Sequence, residues 1–127
     1  MSGYSQLTES EKNYVKRHPV NAYKIGECKN MAVAETRKRF GHNGRNDKSD
    51  AFRHCYWSAL LAREIGYQQA IEFTTLHESQ PGNDLKEKAM DLHNNRAGAD
   101  IGRNGGADEM LALKCMEALK KGRLIHY

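Results

Sequence analysis

Three clusters of polar, titratable residues interrupt otherwise apolar helical stretches between residues 47 and 98. They are Asp50-Ala51-Phe52-Arg53-His54, His77-Glu78 and Asp91-Leu92-His93-Asn94-Asn95. A polar side chain in a core-facing stripe costs about 1–3 kcal/mol of stability unless it finds a partner. The polar groups of the three clusters can serve as hydrogen-bond partners for one another if the clusters meet in the folded chain. The sequence therefore predicts one polar site built from this region.

The first chemistry that these residue types allow is hydrolysis assisted by one divalent metal ion. Asp50 and His54 stand four residues apart, so they share one face of a helix and can present two ligands. Asp91 on a second helix is the candidate third ligand. Such an ion lowers the pKa of bound water and prepares it to attack a phosphorus or carbonyl centre. Further candidate ligands are His77, Glu78 and His93.

The second chemistry needs no transition metal. His54 would act as a general base oriented by Asp91, and Arg53 would bind the developing negative charge. His77 and Glu78 would serve as a further acid or base. The candidate substrate contacts are His93, Asn94, Asn95 and Trp57.

A third possibility is hydrolysis of cell-wall glycan, for which a pair of carboxylates is typical. Glu78 with Asp50 or Asp91 would form that pair. The six histidines of the chain favour the two other mechanisms.

Each cluster also has a purely structural interpretation. Asp50, Arg53 and His54 could form a polar network that fixes helix packing, and Trp57 is typical of a core residue. Asp91 and the asparagine pair favour a site, because Asp and Asn are poor residues for the middle of a helix. Without an enzyme site, the chain would be a binding module that recognises a protein partner. An open pocket at the clusters favours the enzyme, and a sealed polar network favours the module.

Composition indicates one domain, residues 1–127, with a mild preference for polyanionic partners. Lys plus Arg number 20 against 16 Asp plus Glu, and the sequence pI is about 9.0. This charge favours nucleic acid over phospholipid headgroups as substrate. Three widely spaced cysteines without a C-x-x-C motif are expected to be buried hydrophobes.

The amino-terminal residues contain no signal-peptide pattern, and no apolar run reaches the ~18 residues of a membrane span. We therefore expect a chain that is cytoplasmic as made. Export as the cargo of another system is equally compatible with this pattern.

Helix start and stop signals predict an all-α bundle of about six helices. Thr8-x-x-Glu11 is a capping box, Pro19 suits a helix start, and Gly41 and Gly66 suit helix ends. After a break at residues 79–82, the motif Asp84-x-x-Glu87 predicts a second capping box. Asp108 is the expected cap of the last helix. That helix is expected to run through Met110, Leu113, Met116 and Leu119.

Three blocks of the sequence follow one another in a distinctive order. They are Asn46-Asp47-x-x-Asp50-Ala51-Phe52-Arg53-His54-x-x-Trp57-Ser58-Ala59-Leu60, His77-Glu78 and Met90-Asp91-Leu92-His93-Asn94-Asn95-x-x-Gly98. In these blocks the chain resembles an uncharacterised bacterial domain family found at the C-terminal cargo ends of large secreted polymorphic toxins and as small stand-alone proteins. The resemblance implies a toxin-type setting with an immunity protein as partner. It names no substrate.

A second similarity lies in the acidic and polar loop before the helix that carries Arg53-His54-Cys55-Tyr56. This segment is similar to the prokaryotic secreted phospholipase A2 proteins, in which a helix histidine pairs with an aspartate on an antiparallel helix. Those proteins have a His-Asp dipeptide, whereas Cys55 follows His54 here. The similarity implies a phospholipid hydrolase with a His-Asp dyad as an alternative function.

Overall fold

Six helices make up the part of the chain that the computed structural model describes, residues 7–78 and 84–127. They are α1 (Glu9–Arg17), α2 (Pro19–Phe40), α3 (Lys48–Ile65), α4 (Tyr67–His77), α5 (Leu85–Gly102) and α6 (Asp108–Lys120). The described residues contain no strand, so the expected all-α bundle of about six helices is confirmed. The helix break expected at residues 79–82 lies outside the described residues. None of the described helices combines the length and apolar character needed to cross a bilayer.

Local capping chemistry sets most helix ends where the sequence predicts them. The Thr8 hydroxyl accepts a hydrogen bond from the Glu11 backbone N–H, and the Glu11 carboxylate accepts one from the Thr8 N–H, at 3.1 and 2.9 Å. Pro19 opens α2, and Gly41 ends it in the left-handed conformation at φ 76°. Asp47 caps α3 by accepting from the Asp50 N–H at 3.0 Å. These contacts fix the start of the helix that carries His54.

Two expected caps are wrong, because the acidic side chains bind cations and amides on neighbouring elements. Asp84 precedes α5 but makes no side-chain cap, and Glu87 accepts from Arg45 and Asn46 at 2.6 and 3.0 Å. The residue before α6 is Ala107, and the Asp108 carboxylate accepts from Arg63 at 2.6 Å. Tertiary partners therefore outweigh local capping at both helices.

The apolar residues that mark α6 in the sequence divide between solvent and the edge of the core. Met110 and Leu113 are 48% and 54% exposed, and Met116 and Leu119 are only partly buried. The face that packs on the core carries smaller side chains, which allow α6 to approach α3. It consists of Leu111, Ala112, Cys115 and Ala118. Cys28, Cys55 and Cys115 are all buried free thiols, as expected.

Helix α3 is the centre of the bundle and packs against α2, α4, α5 and α6. Its closest neighbour is α5, because two glycines of α5 leave room for the α3 backbone. A Cβ atom on Gly98 would lie 2.8 Å from the carbonyl carbon of Cys55, and one on Gly102 would lie 2.7 Å from that of Ala59. Both contacts advance along the two helices in the same direction, so α3 and α5 run parallel. This close approach brings the polar residues of the two helices together.

The carboxyl-terminal segment is fixed against α5. Asn94, which is fully buried, donates to the backbone carbonyl of Ile125 at 2.8 Å and accepts from its N–H at 2.9 Å. His93 binds the carbonyl of Arg123 at 2.7 Å. The N–H of Tyr127 then reaches the carbonyl of Asn46 at 2.5 Å. The segment thereby supports the loop between α2 and α3.

Candidate active site

His54 of α3 lies between two carboxylates that come from different helices. Its Nε2 atom is 3.2 Å from Asp50 Oδ1 on its own helix and 3.4 Å from Asp91 Oδ1 on α5. The three candidate ligand atoms all lie within 4.8 Å of one another. The side chains of His54 and Asp91 are 13% and 16% exposed, so solvent screens this cluster only partly. The arrangement concentrates negative charge around one ring nitrogen.

The other ring nitrogen is held by a chain of hydrogen bonds that sets the tautomer of His54. Asn95 donates through its amide nitrogen to Glu78 Oε2 at 3.0 Å, so its amide oxygen faces His54 Nδ1 at 3.1 Å. An amide oxygen only accepts, and therefore Nδ1 carries the proton. In neutral imidazole, the lone pair of Nε2 then points at two carboxylate oxygens. A cation between Nε2 and these oxygens would therefore be favourable, either as a proton on Nε2 or as a metal ion.

Asp50 is held in place by partners on both of its oxygens. Oδ2 accepts from the Asn46 N–H at 2.6 Å, and Oδ1 accepts from the guanidinium of Arg53. Burial raises the pKa of Asp50, but the hydrogen bond and charge of His54 and the charge of Arg53 outweigh burial, so the pKa lies below its ordinary value. Asp50 is therefore ionised at neutral pH.

Asp91 is the one side chain among the described residues with a buried oxygen, Oδ1, that accepts no hydrogen bond. Burial, together with the charges of Glu78 and Asp50, raises its pKa to about 6 against the lowering effect of His54. Burial by itself would lower the pKa of His54, yet the hydrogen bond to Asp50 and the charges of Asp91 and Glu78 hold it above its ordinary value. The cluster therefore retains a proton near neutral pH when no other cation is present.

Replacing Asp91 by Asn is expected to stabilise the metal-free fold at pH 8. Since the pKa of Asp91 is about 6 in the folded chain and 3.8 without its surroundings, folding favours its protonated form. This contribution to stability is complete below pH ~4 and is lost as the pH rises through ~6. The neutral amide avoids that loss, so we expect the free energy of unfolding to rise by about 1–3 kcal/mol at pH 8. Urea denaturation in EDTA measures this change.

The pH dependence of the same variant provides the check. The advantage of Asp91→Asn should shrink steadily between pH 6 and pH 4, where the wild-type carboxyl takes up its proton. Asp84→Asn, an exposed change at the start of α5, should shift the free energy of unfolding by less than about 0.5 kcal/mol. Destabilisation of Asp91→Asn at pH 8 would show that the cluster is a satisfied structural network.

A second histidine and carboxylate pair lies beside the first cluster. His77 Nδ1 is 2.8 Å from Glu11 Oε2, and Glu11 is fully buried at the start of α1. Burial raises the pKa of Glu11, while the bond to His77 and the cap with Thr8 lower it, and the lowering prevails. An ionised carboxylate accepts, so His77 donates through Nδ1, and among the described residues its Nε2 has no hydrogen-bond partner.

Two hollows meet at this site and share Arg53, His54 and His77 in their linings. The smaller one, of about 260 Å³, contains the acidic side chains of the cluster. The larger one, of about 700 Å³, lies along α2. The smaller hollow is lined by Arg45, Asn46, Asp50, Arg53, His54, His77, Glu78, Glu87 and Asp91. The larger one is lined by Lys29, Asn30, Ala32, Val33, Ala34, Arg37, Asn43, Arg53, His54, Trp57 and His77.

The structure separates the residues that the sequence assigned to the site into three groups. Asp50, Arg53, His54, His77, Glu78 and Asp91 line the hollows, and Asn95 stands directly behind His54. Trp57 is 5% exposed and packs beside His77 at the wall of the larger hollow. His93 and Asn94 bind the carboxyl-terminal segment instead of the site. Both residues belong to α5, as Asp91 does, but successive residues of a helix point in different directions, so these two side chains reach the carboxyl-terminal segment.

Sequence reasoning missed the residues that α1 and α2 contribute. Glu11 stands 66 positions before its partner His77, and its capping box already explained it. Lys29 and Arg37 lie on α2 and line the larger hollow. Burial and the charge of Arg53 lower the pKa of Lys29. The four-residue spacing of Lys29, Val33 and Arg37 was the available signal for this wall.

Comparison with known proteins places the chain in a family without assigning an activity. The chain matches no curated protein and no solved structure. A family model described as "Domain of unknown function (DUF6973)" matches residues 12–123. This range contains the Asp50, His54 and Asp91 cluster and all six helices except the first turn of α1. The chain therefore belongs to this family, DUF6973.

Proposed function

We propose that this domain is a hydrolase that cleaves phosphodiester-type bonds of nucleic acid with one divalent metal ion. The observation that carries the proposal is the position of His54 Nε2, which lies 3.2 and 3.4 Å from carboxylate oxygens of two helices. One imidazole and two carboxylates form a ligand set suited to Mn²⁺ or Zn²⁺. Asp91 Oδ1, which is buried and accepts no hydrogen bond from the described residues, supports a cation at this position.

A divalent ion held by Asp50, His54 and Asp91 would supply Lewis acidity and lower the pKa of water. The chain's own residues would do the remaining work. Arg53, anchored by Asp50 and by the Gly44 carbonyl at 3.0 Å, keeps donors for a phosphoryl oxygen. His77, oriented by Glu11, would protonate the leaving oxygen as the ester P–O bond breaks. Asn95, oriented by Glu78, would keep the proton of the neutral ring on Nδ1 and leave Nε2 as the ligand atom of His54.

A substrate panel tests the proposed reaction. Purified protein is incubated with plasmid DNA, total RNA and phospholipid vesicles, each with Mn²⁺ and with EDTA. We expect cleavage of nucleic acid with Mn²⁺ and loss of cleavage in EDTA. Absence of turnover on every substrate would contradict the enzyme and favour a non-enzymatic protein-binding module.

The metal-free dyad on phospholipid is the second candidate function. The 3.4 Å approach of His54 Nε2 to Asp91 favours it, since this pair alone can relay a proton. However, the pair lies between parallel helices, whereas the resemblance to phospholipase A2 implies antiparallel ones. Vesicle hydrolysis that persists in EDTA would support this candidate over the nuclease.

We further propose that the domain acts as a toxin with an immunity protein as its partner. This part of the proposal rests on the order of the three sequence blocks. If the domain is a toxin, induced expression of the wild-type chain in a bacterial host should arrest growth. His54→Gln should remove that effect. Equal growth of the two strains at equal protein levels would contradict the toxin setting and leave the hydrolase proposal untouched.

A further inference from the structure

The two hollows at the site differ in charge. Four carboxylates line the smaller hollow, namely Asp50, Glu78, Glu87 and Asp91. Among the described residues, the lining of the larger hollow contains no carboxylate, and its cations are Lys29, Arg37 and Arg53. Arg53 and His54 stand on the border between them. A substrate that crosses this border must therefore carry negative charge on the side of α2.

The cations of the larger hollow follow its length instead of gathering at one point. Lys29, Val33 and Arg37 form a stripe on α2, and eight residues of helix separate the Cα atoms of Lys29 and Arg37 by about 12 Å. Arg53 faces them from α3, held by the Gly44 carbonyl, Asn43 and Asp50. A ligand that contacts the whole stripe needs more than one anionic group.

We infer that the larger hollow binds the sugar-phosphate backbone of single-stranded nucleic acid next to the scissile bond, with successive phosphates on Arg53, Lys29 and Arg37. The choice of nucleic acid as the polyanionic ligand rests on the proposed function. The volume of about 700 Å³ falls in the range of pockets that hold a ligand of several rings. Val33 and Trp57 add apolar surface to the lining. A positively charged groove that follows the backbone is the common feature of proteins that bind single strands without sequence preference.

Binding without turnover tests the inference. Fluorescence anisotropy of a labelled 12-nucleotide single strand is measured in EDTA at several salt concentrations. For Lys29→Gln/Arg37→Gln we expect the dissociation constant to rise about tenfold and the salt slope to fall by about 1.4, because two phosphate contacts are lost. Arg37→Gln alone changes only an exposed side chain and should lower the slope by about 0.7.

The matched control is Lys16→Gln/Lys114→Gln, which removes the same charge from exposed positions outside the hollow. It should change the dissociation constant less than twofold. Equal weakening by both double variants, or no strand binding by the wild type, would overturn the inference. Binding of anionic vesicles without strand binding would overturn it in favour of a lipid headgroup. Intact strand binding without hydrolysis would instead overturn the proposed function, while the inference that the larger hollow binds a single strand would stand.

Discussion

Replacement of His54 by Gln is expected to lower the rate of phosphodiester hydrolysis at least ~10³-fold. The imidazole is the one nitrogen ligand of the proposed metal set, and its Nε2 atom lies 3.2 and 3.4 Å from the two carboxylates. An amide of similar size binds divalent ions weakly and cannot serve as a general base, so both mechanisms lose their central group. Initial rates at saturating Mn²⁺ measure the effect.

The fold of His54→Gln has to be followed alongside its activity. Glutamine can keep a hydrogen bond to Asn95, so the far-ultraviolet circular dichroism spectrum should match that of the wild type. His126→Gln, which replaces an exposed histidine of the carboxyl-terminal segment, should keep full activity. Loss of helix content together with activity would indicate that His54 acts through the packing of α3 on α5.

Gly98→Ala is expected to cost about 3 kcal/mol of unfolding free energy. Its Cβ atom would lie 2.8 Å from the carbonyl carbon of Cys55, and both groups belong to helix backbones that cannot rotate away. Helices α3 and α5 must then separate, which also moves Asp91 away from His54. We therefore expect a lower midpoint of urea unfolding together with reduced hydrolysis.

Gly26→Ala is the matched control for this substitution. Gly26 lies within α2, and a Cβ atom there would meet nothing within 4 Å. Alanine at this position should stabilise the chain by about 0.5–1 kcal/mol, because glycine is a poor residue in the middle of a helix. Equal stability of Gly98→Ala and the wild type would contradict the close approach of α3 and α5.

Part of the site could be predicted because it depends on helix periodicity. Asp50 and His54 are four residues apart, and a helix places them on one face whatever packs against it. The position of Asp91 beside them followed from the expectation that buried polar clusters meet. The capping box at Thr8 fixed the start of α1 for the same local reason.

The remainder of the site depends on tertiary packing that periodicity does not fix. Asn94 and Asn95 are chemically identical neighbours, but one residue turns a helix by about 100°, so one binds Ile125 and the other His54. Gly98 lies against the α3 backbone at Cys55, and this contact determines which of the two asparagines faces α3. Glu11 reaches His77 only because α1 packs against α4, which no local pattern indicates.

Titration of metal-free protein with Mn²⁺, followed by electron paramagnetic resonance, tests most directly whether Asp50, His54 and Asp91 form a metal centre. The wild-type chain is expected to bind one ion per chain at this cluster, and its melting temperature should rise with Mn²⁺ concentration. Asp91→Asn and His54→Gln should each weaken that binding at least ~10-fold. Equal Mn²⁺ affinity in the wild type and both variants, or none in any of them, would contradict the metal centre.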